Sequence, residues 1–354
     1  MTDPMPEPKL SAVITCYQDA PAIRPMHTRL AAVFTSLGVN YEIIFVNDGS
    51  PDDAARVLEE LTAQDEHVLA IEHSRNFGSQ NAFLSGMQLA SGEAVILLDG
   101  DLQDPPELIS EFYAKWREGH DVVYGRRAKR EGSVVFQHLV RVFYRIFRGV
   151  AEVPMPLDAG DFSLMDRRVV DALLAFRETD QFLRGLRAWV GFKQTGVDYV
   201  RPKRAFGRST HSFLKNVWWA RKGVFSFTFV PIELLGYTGA TMTALSCLAL
   251  IYQGIDTLLH PEATHGISTI IILIAFFGSL QLLAIAVVGE YVIKILEEAK
   301  QRPRFIRKAI RHRGAHICTP AEIDSFVQGR LRDAASLRPA GVQPVGGDGE
   351  HDGA

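Results

Sequence analysis

Short apolar runs of strand length recur through the first third of the chain: Leu10 to Cys16, Tyr41 to Val46, Val68 to His73, Ala94 to Leu98 and Asp121 to Tyr124. Between them apolar residues return at helical spacing, over Ala22 to Leu37, Asp52 to Ala63, Ser79 to Ala90 and Pro106 to Glu118. Strands alternating with helices predict an α/β domain, Rossmann-like in outline. Its sheet is expected to be mostly parallel, with helices on both faces and right-handed crossovers.

The pattern changes after residue 130. In Ser133 to Val150 apolar residues dominate, with Arg141, Arg145 and Arg148 at helical spacing, the pattern of a helix lying in a membrane interface with an apolar face and a basic stripe. His211 to Phe229 places Trp218 and Trp219 among Lys215, Arg221 and Lys222, a composition suited to the headgroup region. Leu234 to Tyr252 and Ile267 to Val288 are each long and apolar enough to span a bilayer. The linker between these runs carries Asp256 and Glu262 and no Lys or Arg, whereas Lys294, Lys300, Arg302, Arg304, Arg307, Lys308, Arg311 and Arg313 follow the second. The positive-inside rule then puts the first domain and the C-terminal segment in the cytoplasm, with a small hairpin outside. The expected order is an N-terminal tail (1–9), the α/β domain with an interfacial helix (10–210), a juxtamembrane helix (211–230), a two-helix transmembrane hairpin (231–293), a basic cytoplasmic segment (294–333) and a Gly/Pro-rich disordered tail (334–354).

Composition narrows the class. A chain of 354 residues holds one large domain with something added, and a formal charge of -3 makes no case for nucleic acid. Cys16, Cys247 and Cys318 lie far apart without paired Cys/His spacing, so neither a disulfide framework nor a structural zinc site is expected. The start, Met1-Thr2-Asp3-Pro4, has no basic region leading into an apolar core, which argues against a cleaved signal peptide.

Candidate chemistry collects at the strand ends. The fourth apolar run breaks into Asp99-Gly100-Asp101-Leu102-Gln103-Asp104, and Pro105-Pro106-Glu107 restart the chain as a helix. Two carboxylates one residue apart, with an amide oxygen beyond them, offer hard oxygen ligands to a divalent cation that neutralises a diphosphate. The other strands end in Thr15-Cys16-Tyr17-Gln18-Asp19, in Asn47-Asp48-Gly49-Ser50 and in Ser74-Arg75-Asn76-Phe77-Gly78. Polar ends on one edge of a parallel sheet are where such folds hold ligands. Asp48 suits a base or ribose, Tyr17 the face of a base and Arg75 a phosphate. Neither G-x-G-x-x-G nor a Walker lysine is present, which disfavours nicotinamide and P-loop chemistry.

Together these pieces resemble the inverting family 2 glycosyltransferases of GT-A fold. Within them the chain is similar to the polyprenyl-phosphate glycosyltransferases, which include dolichyl-phosphate mannose synthases and bacterial bactoprenol glucosyltransferases. Further matching motifs are Tyr124-Gly125-Arg126-Arg127, Asp158-Ala159-Gly160-Asp161-Phe162, Arg184-Gly185-Leu186, Arg204-Ala205-Phe206-Gly207-Arg208-Ser209 and Gly289-Glu290-Tyr291, so the resemblance covers about Leu10 to Phe305. It implies that Asp101 and Gln103 ligate Mg2+ or Mn2+ with Asp99 in support. It also implies that Thr15, Tyr17, Asp19, Asp48, Arg75, Gly100, Arg127, Arg204 and Ser209 hold a nucleotide diphosphate sugar. Asp158 or Asp161, the latter favoured, would stand near the acceptor. Arg127, Arg141, Arg145, Arg204 and Lys215 would meet the lipid phosphate. Two departures stand out. Thr15, Gln18 and Asp19 replace the usual Pro, Asn and Glu of the first motif, and Thr210 replaces the usual Lys after Ser209.

The resulting expectation is an enzyme of the bacterial inner membrane, working as a homo-oligomer with its catalytic domain and both termini cytoplasmic. It would transfer a sugar, UDP-glucose or a relative being the donor, to undecaprenyl phosphate. Two other readings compete with this one. Gln181-Phe182-Leu183-Arg184 approaches the Q-x-x-R-W motif of processive polysaccharide synthases, but Gly185 replaces the Trp and two spans are too few for a polymer channel. A catalytically silent nucleotide-sugar-binding scaffold would not need intact Asp99, Asp101 and Gln103.

Overall fold

The computed structural model describes residues 10–127, 159–178, 181–202, 230–259 and 267–336. The basic stretch 133–150, the Trp-rich segment 211–229 and the Gly/Pro-rich tail from 337 lie outside these. The described residues fall into two compact units, one holding those before 203 and after 302, the other the long helices between.

The first unit is built on β1 (Leu10–Cys16), β2 (Tyr41–Asn47), β3 (Val68–His73) and β4 (Ala94–Asp99), joined by α1 (Ala20–Leu37), α2 (Ala54–Gln64) and α3 (Ser79–Leu89). These elements match the apolar runs to within two residues at each end. β1 is central and buried along its whole length, paired in parallel with β2 on one side and β4 on the other. Helix α1 shows why the helical reading works: Ile23, Met26, Leu30 and Phe34 are buried at the spacing of one helical face. Each contributes about 1.5–3 kcal/mol by leaving water. The helix stops at Gly38, which takes φ 63° and returns its N–H to Phe34 and Thr35 carbonyls. After β4 a 3-10 turn at Pro106–Leu108 leads into α4 (Ile109–Arg117).

The rest of the sheet departs from the expected parallel pattern. β5 (Val122–Arg127), β6 (Ala159–Asp166) and β7 (Gln194–Tyr199), with α5 (Arg167–Ala175) and α6 (Leu183–Trp189) between the last two, extend one edge. β6 runs antiparallel to both β4 and β5, whereas β7 is parallel to β5. At the other edge β8 (Arg307–His312) pairs antiparallel with β3, and β9 (Ala315–Ile317) with β8. The order is β7-β5-β6-β4-β1-β2-β3-β8-β9, a mixed sheet rather than a mostly parallel one.

The segment expected to be a basic cytoplasmic stretch is thus, from Arg307 on, part of the catalytic sheet, and α9 (Pro320–Ser336) follows it. Several of its charges have partners. Glu72 of β3 accepts from Lys308 Nζ at 2.7 Å and from Arg311 at 2.7 Å. Arg307 donates to the Ser85 hydroxyl and carbonyl on α3. Arg330 of α9 meets the buried carboxylate of Glu42, which also accepts from Ser11 Oγ at 2.6 Å and from the Ser91 N–H at 2.7 Å.

The second unit contains α7 (Val230–Leu259) and α8 (Ile267–Ala299), of 30 and 33 residues, packed against each other. Their outer surfaces are apolar: Leu234, Leu248, Ile251, Ile274, Leu282 and Ile285 are all more than half exposed. Among the described residues one stretch, Phe276–Ala299 of α8, is long and apolar enough to cross a membrane, with mean hydropathy 1.8. It begins nine residues beyond the start of the second span expected from sequence, Ile267 to Val288, whereas the first, Leu234 to Tyr252, is not identified as a membrane-crossing stretch.

Candidate active site

Register sets the site. Pairing places Thr15 beside Asp99 and Cys16 beside Asn47, so the ends of β1, β2 and β4 align on one edge. β6 runs back along β4 with Ser163 opposite Leu97, which brings its opening residues, Asp161 among them, to the same edge. In the β5–β7 pair Arg127 lies opposite Tyr199.

The loops above this edge are tied down by their own polar groups. The Gly100 N–H donates to the Thr15 carbonyl at 2.9 Å, and a Cβ at Gly100 would stand 2.6 Å from that oxygen, so only glycine lets the acidic turn approach β1. Gly49 takes φ 62°, and a Cβ there would lie 2.4 Å from the Arg75 backbone. Asp48 is buried. Its Oδ1 accepts from His73 Nδ1 at 2.8 Å and from the Phe77 N–H at 2.9 Å, and its Oδ2 accepts from the Gly78 N–H at 2.8 Å. The carboxylate that sequence offered to a base thus fixes the loop after β3. Arg75 likewise serves that loop, donating to the Asn76 carbonyl and lying 4.1 Å from the centroid of the Phe77 ring. Tyr17 stays 37% exposed, open for stacking, and Asp19 is buried at the start of α1.

Carboxylates crowd the turn after β4. Asp99, Asp101 and Asp104 surround Arg201: its Nη2 lies 3.7 Å from Asp99 and 3.9 Å from Asp101, and its Nε 3.8 Å from Asp104. Desolvation, then the neighbouring charges of Asp104, Asp161 and Asp101, push the Asp99 carboxyl up to about 7. Asp104 is also raised, by burial above all, and accepts from the Tyr199 hydroxyl at 2.6 Å. Burial and the adjacent Asp104 in turn push the Tyr199 phenol well up. The Gln103 N–H donates to Asp101 Oδ1 at 3.1 Å, and its side-chain amide donates to the Pro202 carbonyl at 3.2 Å.

Asp161 is held differently. Arg184 grips it with both prongs, at 2.9 and 2.7 Å, and Arg187 is buried nearby with its guanidinium 5.3 Å from the Tyr124 ring centroid. Burial acts to raise the Asp161 carboxyl, but Arg184 and Arg187 outweigh it and keep the group below the usual range. Burial pushes Arg187 itself down to about 10. A carboxylate so stabilised is a weak base.

Of the residues chosen from sequence, the structure therefore gathers Asp99, Gly100, Asp101, Gln103 and Asp161 with Thr15 at one edge, and puts Arg127 near Asp104 and Tyr199. Asp158, Arg141, Arg145, Arg204, Ser209 and Lys215 lie outside the described residues. Sequence reasoning gave no role to Asp104, Tyr199, Arg187 or Arg201. Arg184 and Asp104 stood inside matched motifs, but Tyr199 and Arg201 gave no signal, because only the β5–β7 pairing brings them to the acidic turn.

No group of three or more His, Cys, Asp or Glu among the described residues forms a ready-made metal centre. The donor set nevertheless suits a hard divalent ion whose coordination a diphosphate completes. It offers the Asp99 and Asp101 carboxylates and the Gln103 oxygen, in a turn whose crowded negative charge already favours a cation.

The mixed parallel and antiparallel sheet, with its helices, is a GT-A-like α/β fold. The profile described as Glycosyl transferase family 2 matches residues 11–174. The chain is 39% identical over 297 residues to the glycosyltransferase YkcC of Bacillus subtilis (strain 168), covering 84% of this chain and 92% of that protein. It is 34% identical over 308 residues to the SfII prophage-derived bactoprenol glucosyl transferase of Shigella flexneri, covering 86% and 99%. Among solved structures, the glucosyl-3-phosphoglycerate synthase from Mycobacterium tuberculosis in complex with Mn2+ and UDP-Glc aligns over 61% of this chain and 77% of its own, at 17% identity and a TM-score of 0.39, too distant to carry an assignment. The protein belongs to glycosyl transferase family 2 and is a glycosyltransferase related to the bactoprenol glucosyl transferases.

Proposed function

We propose that this enzyme transfers a sugar from a nucleotide diphosphate sugar, glucose from UDP-glucose first among them, to a polyprenyl phosphate at the cytoplasmic face of the bacterial inner membrane. The observation that carries the reading is the juxtaposition of the Asp99–Asp101–Asp104 turn with the Arg184-bound Asp161 on one sheet edge. A bound Mg2+ or Mn2+ would be held by Asp101 and Gln103 with Asp99 in support, and supplies charge neutralisation to the departing diphosphate. The remaining work falls to the chain's own residues. Tyr17 offers its exposed ring to the base, Asp48 fixes the loop beside it, and Arg127 faces a phosphate. A lipid phosphate oxygen forms the new bond at the anomeric carbon as the bond to the diphosphate breaks on the opposite face, so the configuration inverts. That nucleophile is already an anion and needs no strong base, which agrees with an Asp161 held below the usual carboxylate range. Asp161 then serves to position Arg184 and the acceptor rather than to take a proton.

The exposed apolar surfaces of α7 and α8 support two membrane spans, with the catalytic unit and both termini on the cytoplasmic side and the Gln253 to Gly266 hairpin outside. Cysteine placed at Thr264 should react with an impermeant thiol reagent added outside the cell. Labelling only after the membrane is opened rejects the two-span arrangement. Stretches 133–150 and 211–230 are proposed to lie at the interface, and association of copies through the spans is a further part of the reading.

The founding test is turnover of a panel of radiolabelled nucleotide sugars into organic-extractable lipid, with one polyprenyl phosphate as acceptor. A single accepted sugar establishes the donor; polymer in place of lipid-linked monosaccharide would favour the processive alternative. Arg141, Arg145, Arg204 and Lys215 are assigned to the lipid phosphate. For the Arg141→Ala/Arg145→Ala double variant, the apparent KM for polyprenyl phosphate is expected to rise by roughly tenfold, the scale of one or two lost charge-assisted contacts. Its KM for the nucleotide sugar should stay unchanged. A defect confined to the nucleotide sugar would reject the assignment.

A further inference from the structure

Arginines of the catalytic unit typically meet their carboxylates through directional hydrogen bonds: Arg184 on Asp161 at 2.9 and 2.7 Å, Arg29 on Glu107 at 2.7 and 2.6 Å. Arg201 does not. It is surrounded by Asp99, Asp101 and Asp104 at 3.7, 3.9 and 3.8 Å, within reach of their charge but beyond hydrogen-bond distance of each, and its Nε is buried with no hydrogen-bond partner. The backbone on either side is tied to the same acidic turn. Two residues earlier the Tyr199 hydroxyl donates to Asp104, and one residue later the Pro202 carbonyl accepts from Gln103. The chain thus holds the Arg201 backbone against the turn while no hydrogen bond fixes its guanidinium to any one carboxylate. A locked structural ion pair would show the opposite arrangement, forked hydrogen bonds on a single partner.

We propose that Arg201 is a resident counter-cation of the acidic turn: it helps to neutralise these carboxylates in the nucleotide-free enzyme, yields that place to the divalent ion that arrives with the donor, and turns its guanidinium to the donor's diphosphate. The inference rests on the reading of this turn as the metal and diphosphate site. It assigns Arg201 a binding role with two consequences of opposite sign. A guanidinium among the carboxylates competes with a metal ion that comes alone, because both seek the same negative charge. Once metal and nucleotide are both present, the same group adds a planar donor to the diphosphate.

The test uses the full-length protein in detergent or nanodiscs. Binding of Mn2+ alone is read from the loss of the free-ion electron paramagnetic resonance signal, and binding of UDP at saturating Mn2+ by calorimetry. Arg201→Gln is expected to bind Mn2+ alone at least about tenfold more tightly than the wild type and UDP at least about tenfold more weakly. Arg201→Lys, which keeps the charge and loses the fork, should leave Mn2+ affinity near the wild-type value while UDP binding still falls. Unchanged or weaker Mn2+ binding in Arg201→Gln overturns the proposal, as does tighter Mn2+ binding with UDP affinity unaltered. Loss of both affinities is the signature of a collapsed turn and overturns it too. The Mn2+ measurement needs no turnover, so a failure to find the donor sugar leaves this result readable.

Discussion

Replacement of Asp101 by Asn is expected to lower kcat for lipid-linked sugar formation by about 10²–10³-fold or more, the scale on which one preorganised electrostatic group acts in a transition state. The fold should be spared. Asp101 is buried at the strand-end turn, and its Oδ1 accepts from the Gln103 N–H, a bond that the Asn carbonyl oxygen can still accept. What the substitution removes is one negative charge from the cluster that faces Arg201 and the proposed metal. Activity in Mg2+ and in Mn2+ and thermal unfolding should be measured on one preparation. Near-wild-type turnover in either metal would overturn the role given to Asp101, whereas a large drop in unfolding temperature would mean that the turn is structural.

The second large effect lies far from the acidic edge. Arg330→Ala should destabilise the catalytic unit by about 3–5 kcal/mol, the usual penalty for stranding one partner of a buried ion pair. At roughly 2–4 °C per kcal/mol for a domain of this size, the loss is easily read in a melting curve. Glu42 is the reason: its carboxylate is buried among Ser11, Ser91 and Arg330. Burial works to raise its pKa, but Arg330 and the two serines more than offset that and hold it below the usual carboxylate value. A depressed folded-state pKa gives stability that is fully present above the unfolded-state value, near 4.3, and is lost as pH falls through the folded one. In Arg330→Ala the desolvation is opposed only by the hydrogen bonds from Ser11 and Ser91, and the carboxyl takes a proton more readily. The gap between wild type and variant should therefore be widest at neutral pH and narrow on acidification. A pH-independent gap would assign the loss to packing of the arginine stem instead.

The contrast between β1 and β8 explains what sequence could and could not reveal. β1, β2, β3 and β4 are buried central strands, so almost every position is apolar and their bounds stand out; the acidic turn was legible because it interrupts such a run. β8 reads Arg-Lys-Ala-Ile-Arg-His with only Ala309 and Ile310 buried. Its four basic residues look like a positive-inside signal, and the three carboxyl and hydroxyl partners that justify them, Glu72 and Ser85 here and Glu42 for α9, lie more than two hundred residues earlier in the chain. β6 escaped for another reason: Ala-Gly-Asp-Phe-Ser-Leu-Met-Asp carries site residues at one end and core residues at the other, which blurs the alternation of a strand. Its antiparallel insertion, with the antiparallel β8 and β9 at the other edge, turns the expected parallel sheet into a mixed one. Arg201 shows the limit most plainly, since its partners are set by strand pairing and not by any local spacing.

The return of the C-terminal strand to β3 also has a consequence in time. A ribosome making this chain releases β3 about 230 residues before it releases β8, an interval of roughly 10–50 s at ordinary elongation rates. Throughout it the backbone donors and acceptors along one side of β3 have no strand to meet, while the apolar helices α7 and α8 are still emerging. Nascent chains of this enzyme therefore pass through a stage with an open sheet edge beside newly made membrane-seeking sequence, and synthesis slowed or halted within the helices would prolong it.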